Sequence, residues 1–192
     1  MTITIHKTAE ISINAKIGKG TKIWQNAQIA DDSEIGENCV IGHNCAVFGA
    51  KIGDGVKLES NVDVWRGVSL EDFVFVGPSA VFTNDLNPRA KYPKKDFSQY
   101  GQWLSTLIKE GATIGANATI VCGTVVGKWA FIAAGAVVKG EVPDYALMAG
   151  VPAKQIGWMC ECASKLVFKN GMAACKICGR KYIKSGNVIN ES

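Results

Sequence analysis

Residues able to do chemistry in this 192-residue chain gather in two places. The first is Thr83-Asn-Asp-Leu-Asn-Pro-Arg89, which carries amides at Asn84 and Asn87, a carboxylate at Asp85 and a guanidinium at Arg89. Asp85 is a conceivable general base, but an unperturbed carboxylate, with a pKa of about 4, is weakly suited to that task. Arg89 offers a planar fork that fits a carboxylate or a phosphate, and a solvated loop charge is the equal alternative. The second place is Cys160-Glu-Cys162 with Cys175-Lys-Ile-Cys178-Gly-Arg-Lys-Tyr182. Cys-x-x-Cys-Gly is a zinc-knuckle pattern, and Cys160, Cys162, Cys175 and Cys178 together make a tetrahedral four-thiolate site. The first pair is spaced Cys-x-Cys and not the commoner Cys-x-x-Cys, so a metal-free hairpin with free thiols remains the alternative. Either way the role is structural, because a closed four-ligand site has no open position for a substrate.

Histidine is scarce. The chain holds only His6 and His43, both in regular sequence well before the polar run. They read as structural or surface residues. Two histidines cannot supply the three that a catalytic zinc of the carbonic anhydrase type requires.

The element that positions these groups is a six-residue repeat. From Ile108 the units open at Ile108, Ile114, Ile120, Val126, Ile132 and Val138. Their fifth positions are Ala112, Ala118, Thr124, Ala130, Ala136 and Val142. A helix repeats its apolar positions near 3.6 and a strand near 2; six fits neither alone. It fits a solenoid in which each flat face takes one hexapeptide and the opening aliphatic points into a narrow axial core.

The repeat begins almost at once, at Ile5, Ile11, Ile17, Ile23, Ile29, Ile35, Ile41 and Val47, with Asn or Gly at corners such as Gly20, Asn26, Asn38 and Asn44. Those residues tolerate the positive φ of a sharp corner. After Val47 the register slips by one residue and resumes at Ile52, which reads as a bulge or tightened corner. The small fifth positions Cys39 and Cys45 read as core filler. The pattern stops after Phe82 and returns at Ile108, so a long loop, 83–107, leaves a solenoid that continues beneath it. Tyr100 and Trp103 within that loop argue against plain disorder. The expected organisation is a β-helix over 1–142, a cap segment over 143–158 and a small Cys-rich tail over 159–192.

Composition agrees with an all-β solenoid: 21 Gly, few aromatics and many β-branched residues. The net charge of +4 is spread over scattered Lys and Arg, which is not a nucleic-acid footprint. No stretch is apolar enough to span a membrane, and no signal-like segment opens the chain. Seven Cys without such a segment point to a reducing, cytoplasmic location.

With these residues in view, the sequence resembles the hexapeptide-repeat acyltransferases. Val76-Gly-Pro-Ser-Ala-Val-Phe-Thr-Asn-Asp-Leu-Asn-Pro-Arg89, Ala146-Leu-Met-Ala-Gly-Val-Pro-Ala-Lys154 and Gln155-Ile-Gly-Trp158 resemble, more narrowly, the nucleotide-sugar N-acetyltransferases. The resemblance implies a left-handed parallel β-helix with three hexads to a coil, assembled as a homotrimer. It also implies acetyl-CoA as cosubstrate and a nucleotide-linked amino sugar as acceptor, for surface polysaccharide biosynthesis. The implied acceptor is UDP-2-acetamido-3-amino-2,3-dideoxy-glucuronate; a dTDP-3-amino or 4-amino-6-deoxy sugar is the alternative, and a non-catalytic scaffold a third reading.

The same resemblance places the orienting group for the sugar amine on Asn84, because an amide accepts from an amine and is not lost to protonation. A sugar amine beside electron-withdrawing oxygens is partly neutral at cell pH, so no histidine base is required. Positioning then carries much of the catalysis, worth roughly 7–11 kcal/mol for well-oriented reactants. Asn87 and Arg89 would fix the loop or touch the acceptor, and Arg66 or Arg89 would meet a sugar carboxylate. In the family the pantetheine arm lies in a groove between subunits. Gly115, Ala133, Ala134 and Gly135 would let it approach closely, though small residues also simply make good hexapeptide corners. Lys139 and Lys154 are candidates for the CoA phosphates.

Overall fold

The computed structural model describes residues 2–91, 104–186 and 188–192, and among these every regular element is a β-strand. Tyr100 and Trp103 lie outside the described residues. Most strands are only two residues long, one outward side chain followed by one inward aliphatic, as in Lys22–Ile23 and Gln28–Ile29. Each hexad spends the rest of its length turning a corner.

Three such hexads close a coil. Thr4 lies beside Lys22, Glu10 beside Gln28 and Lys16 beside Glu34, all in parallel register. The coils stack into three parallel sheets, the flat faces of a prism. The first face runs from Thr4–Ile5 to Ala146–Ala149, the second from Glu10–Ile11 to Val137–Val138, and the third from Lys16–Ile17 to Glu141–Val142. The inward aliphatics Ile41, Leu58, Val76, Ile114 and Ile132 form one buried file, and Ala27, Cys39, Cys45, Ala118 and Ala136 fill the narrow corners. Each buried Ile or Val contributes about 1.5–3 kcal/mol relative to exposure, so a long file offsets the entropy of ordering many short strands.

Corners are set by left-handed backbone, with φ of 56° at Asn26, Asn38 and Asn44. The Asn26 amide donates to Asn44 at 3.2 Å and the Asn44 amide donates to Asn61 at 3.1 Å, a ladder along one edge. In a regular corner the turn amide reaches a carbonyl one coil away, as Asn44 N–H does to Gln25. At the one-residue slip the partner is a side chain: Gly49 N–H donates to the Ser33 hydroxyl at 3.0 Å. The buried Ser33 hydroxyl in turn donates to the Val47 carbonyl, so the tightened corner leaves neither group unpaired.

The parallel stacking passes beyond Val142. Leu147 pairs with Phe131 and Met148 with Ile132, adding one more strand to the first face. The chain then reverses. Lys154–Met159 runs antiparallel to Ala146–Ala149, and Lys165–Leu166 follows it. These strands close the C-terminal end of the core, whereas at the other end Ile5 is still half exposed. A separate antiparallel sheet, Met172–Ala174, Lys181–Ser185 and Val188–Glu191, makes the tail.

Candidate functional site

The second face positions the predicted residues. Asp63 pairs with Val81, Val81 with Thr119 and Thr119 with Val137. Three residues further along each coil, Arg66, Asn84, Cys122 and Gly140 therefore stack in one column at the corner leading to the third face. Trp65, Thr83, Val121 and Lys139 form the column beside it. The long excursion leaves from this corner, after the strand Val81–Phe82, and returns as Thr106–Ile108 on the third face. Solenoid stacking is unbroken beneath it, with Val81 beside Thr119 and Val68 beside Thr106. The rejoining strand begins at Thr106, which takes a buried position aligned with the inward-facing Val68.

Both stems of the excursion are stitched to the coil above. The Cys122 N–H donates to the Thr83 hydroxyl at 2.9 Å, and the Gly123 N–H donates to the Thr106 hydroxyl at 3.2 Å. Thr83 N–H also donates to the Ile120 carbonyl at 3.0 Å. For Gly123 the Thr106 hydroxyl replaces the carbonyl that other corners offer, as Pro78 does to Asn117 N–H; for Cys122 the Thr83 hydroxyl takes the place of the carboxylates that receive the equivalent N–H groups of Glu37, Asp54 and Lys128. Asn84, half-buried, is the next residue on this fixed stem. Asp85 accepts from Asn87 N–H at 2.8 Å, an Asx turn that orders the loop as it leaves. Arg89 is exposed and its guanidinium donates to the neighbouring Pro88 carbonyl at 3.1 Å.

Arg66, one coil below Asn84, pairs with Asp32 at 3.1 Å; both side chains are more than half exposed, so the pair is weak and its guanidinium remains available to a stronger anion. Beside it the rings of Phe48 and Trp65 stack 5.0 Å apart and nearly parallel, at 9°. Spacing alone did not single out Thr83, Thr106 or this aromatic pair. The threonines had a legible signal, a hydroxyl at each end of the break in the repeat.

The candidates for the cosubstrate border the same face. Gly115, Ala133, Ala134 and Gly135 occupy the opposite corner, between the first and second faces, where Gly115 N–H donates to Ile132 and Gly135 N–H to Ala116. Their roles separate. A Cβ on Gly115 would lie 2.5 Å from the backbone nitrogen of Ala134, so that glycine permits the coils to stack. Gly135 has φ of 70° and open space where a Cβ would go. Lys139 is exposed beside the Asn84 column, two coils on. Lys154 is exposed at the top of the face: the preceding Ala153 N–H donates to the Val137 carbonyl, and Val137 N–H donates to Gly150.

The histidines lie at the corner between the first and second faces, in coils below the cosubstrate candidates. His6 contacts the Thr8 hydroxyl at 3.0 Å, and His43 contacts the Ser60 hydroxyl at 2.9 Å in the lower coils. A groove of about 490 Å³ lies elsewhere, on the third face, bordered by Lys109, Glu141, Asp144 and Asn190.

The four tail cysteines do converge. Their sulfurs all lie within 4.8 Å of one another. Cys160 and Cys178 are 3.4 Å apart, and Cys162 and Cys175 are 3.5 Å apart. Both separations are far beyond a disulfide bond of about 2.05 Å.

Comparison with known proteins agrees with this architecture. The bacterial transferase hexapeptide model, of six repeats, matches residues 14–49 and 105–140, and the hexapeptide repeat of succinyl-transferase matches residues 34–66. A dTDP-3-amino-3,6-dideoxy-alpha-D-galactopyranose 3-N-acetyltransferase from Aneurinibacillus thermoaerophilus is 43% identical over 86 residues, 45% of this chain and 44% of that protein. A 2,3,4,5-tetrahydropyridine-2,6-dicarboxylate N-acetyltransferase from Staphylococcus aureus is 40% identical over 83 residues, 43% of this chain and 30% of that protein. The chain therefore aligns with less than half the length of these curated relatives. Among solved structures, the acetyltransferase domain of PglB from Neisseria gonorrhoeae FA1090, also solved with acetyl coenzyme A, superposes with a TM-score of 0.50 at 24% identity. That match covers 80% of this chain and 57% of the PglB chain, and it shows a shared fold.

Proposed function

We propose that this chain of bacterial-transferase hexapeptide repeats is an acetyl-CoA-dependent N-acetyltransferase acting on a nucleotide-linked amino sugar. The observation that carries the reading is the stem of the long loop, where Thr83 is fastened to Cys122 and presents Asn84 at the edge of the second face. Similarity to a dTDP-amino-sugar 3-N-acetyltransferase over the repeats supports it.

The reaction needs an amine lone pair aimed at the thioester carbonyl carbon. Asn84 accepts a hydrogen bond from the amine through its side-chain oxygen and orients it. As the N–C bond forms, the carbonyl oxygen gains charge; when the tetrahedral adduct collapses, the C–S bond breaks and CoA thiolate leaves. The proton lost by nitrogen neutralises the thiolate. Holding the two reactants in this geometry is worth roughly 7–11 kcal/mol.

The amine sits on carbon 3 in UDP-2-acetamido-3-amino-2,3-dideoxy-glucuronate and in the dTDP-3-amino-deoxy sugars, and on carbon 4 in the dTDP-4-amino-6-deoxy alternative. A glucuronate acceptor calls on Arg66 or Arg89 for its carboxylate. Arg66 is the better placed, directly below Asn84 and held only by an exposed pair with Asp32. Asn87 orders the loop around the acceptor through its N–H to Asp85. Ala133, Ala134 and Gly135 border the pantetheine path, Gly115 supports it by letting the coils stack, and Lys139 and Lys154 meet the CoA phosphates. The second face lies open on one protomer, so a homotrimer would enclose it between neighbours. The product would serve cytoplasmic assembly of a surface polysaccharide. The tail cysteines enter this reading as a structural zinc site.

A thiol-release assay tests it. Purified protein is given acetyl-CoA and a panel of UDP-3-amino-glucuronate, dTDP-3-amino and dTDP-4-amino deoxy sugars, and free CoA is followed. Release with one member names the acceptor. No release with any, together with no acetyl-CoA binding by calorimetry, favours a scaffold instead.

A further inference from the structure

We infer that Cys160, Cys162, Cys175 and Cys178 bind one zinc ion as a closed tetrathiolate, and that this metal fastens the C-terminal sheet over the end of the solenoid. Four thiolates around zinc at about 2.3 Å stand about 3.8 Å apart along the edges of the tetrahedron. The observed separations of 3.4 and 3.5 Å, and the 4.8 Å limit on all pairs, match four sulfurs gathered around one point. Tetrahedral all-sulfur donor sets select zinc over the harder divalent ions.

The local backbone is built for such a site. Gly179 has φ of 79°, and its N–H donates to the Cys175 carbonyl at 3.0 Å, closing the tight turn that carries Cys175 and Cys178. The other arm is a similar turn: Cys160 N–H donates to the Ser164 carbonyl and Ala163 N–H to the Cys160 carbonyl, each at 2.8 Å. Thus one ligand pair comes from the end of the solenoid cap and the other from the separate tail sheet. A metal between them pins a seam at which Lys184 also lies over the Trp158 ring, 5.3 Å from its centroid, and Val188, Ile189 and Asn190 border a groove with Lys109 and Glu141.

Groups beside the cysteines report on the join. Tyr182, only 1% exposed, places its hydroxyl 3.1 Å from the Cys160 sulfur and its ring edge-on to Tyr145 of the last coil, 5.5 Å between centroids. Arg180 contacts Glu161 on one arm and Glu191 on the last strand, each at 3.3 Å. The tail sheet has three short strands and a handful of buried apolar residues, Ala173, Cys175, Tyr182 and Ile189. A unit that small usually needs a metal or disulfides to hold its fold.

Metal analysis of the full chain, purified in the presence of zinc and a reductant, tests this directly. The expected result is one zinc per chain, released in proportion as an organomercurial titrates the thiols. Cobalt added to the apo-protein should give the intense visible absorption of a tetrahedral site with near-ultraviolet thiolate charge transfer. Hydrogen exchange after zinc removal should show protection falling at least tenfold across 159–192 while the hexads keep theirs. Cys178→Ser should lose the metal, with the solenoid's circular dichroism retained. A reduced wild-type chain that holds no zinc and takes up neither zinc nor cobalt on titration overturns the site. Full metal occupancy with unchanged exchange in the tail on its removal overturns the fastening role. Neither result depends on any acetyltransferase activity, so this inference and the proposed reaction stand or fall separately.

Discussion

The Thr83 hydroxyl receives the backbone N–H of Cys122 at 2.9 Å, and with the Thr83 N–H donating to the Ile120 carbonyl at 3.0 Å it ties the start of the long excursion to the coil above it. Asn84 follows immediately. Its aim is therefore set by the solenoid and not by the loop. Asn84→Ala should lower turnover well beyond tenfold while thermal unfolding stays near wild type, because in the proposed reaction its side chain serves the amine and not the core. A near-wild-type rate would remove Asn84 from the mechanism. Thr83→Val should do something different. It keeps the shape but strands the Cys122 N–H, at a cost of about 1–3 kcal/mol, and it should lower turnover through a misplaced Asn84.

The two glycines among the cosubstrate candidates should respond oppositely. Gly115→Ala forces a Cβ to within 2.5 Å of the Ala134 backbone nitrogen, and no flexible side chain is there to yield. Unfolding should be easier by about 3 kcal/mol or more, at or above the upper end of what overpacking costs. Gly135→Ala meets open space and only a left-handed φ, so it should cost about 1–2 kcal/mol and act mainly on acetyl-CoA affinity. Denaturant midpoints of the two variants, with the KM for acetyl-CoA of the second, check the contrast. Equal destabilisation would mean that the coils are able to part at Gly115.

Much of the solenoid was legible because its period is carried by side chains that must point inward. Ile108, Ile114 and Ile120 announced three successive faces, and Cys39 and Cys45 proved to be buried corner filler. The parts that escaped are those in which polar groups do an apolar residue's job or stacking depends on the neighbouring coil. Thr106 occupies an inward position that the aliphatic rule passes over, so the repeat seemed to restart at Ile108. Trp129 takes a corner with φ of 54° that a rule based on Asn and Gly does not anticipate; its ring lies over Gly111, which has no Cβ to obstruct it. The candidate site could be read from the sequence only as a list of residue types. That Arg66, Asn84 and Lys139 share an edge follows from strand register, which depends on the coil length and the one-residue slip together.

The two lysines proposed for the CoA phosphates should affect binding rather than chemistry. Lys139 and Lys154 are exposed at the margin of the second face, and phosphate contacts at such positions are made equally in the ground and transition states. Lys139→Ala and Lys154→Ala should each raise the KM for acetyl-CoA about threefold to tenfold, an amount that corresponds to about 0.7–1.4 kcal/mol, with kcat nearly unchanged. The effect should shrink as salt rises, since exposed charges are screened. A fall in kcat with an unaltered KM would place that lysine at the reacting centre instead.

Alkaline stability isolates one buried thiol. Burial pushes the Cys45 thiol up to about 11 from its ordinary 9.0, while its Sγ lies 2.9 Å from the Glu59 carbonyl in a packed corner. Above pH 9 the unfolded chain begins to release this proton and the folded chain keeps it, so the unfolded state binds fewer protons and stability falls with rising pH. The contribution is complete below pH 9 and is lost as pH rises toward the folded value of about 11. Over that window it is on the order of 2 kcal/mol. Cys45→Ala keeps a small side chain, of the kind found at Ala27 and Ala118, and removes the titrating group. Other groups, the lysines above all, titrate in both proteins, so the difference between wild type and variant carries the signal. Denaturant melts at pH 8, 9, 10 and 11 should show the wild type losing more stability than Cys45→Ala, with the gap opening only above pH 9. Parallel pH profiles would mean that the thiol ionises inside the folded corner without resistance, and that burial there does not exclude charge.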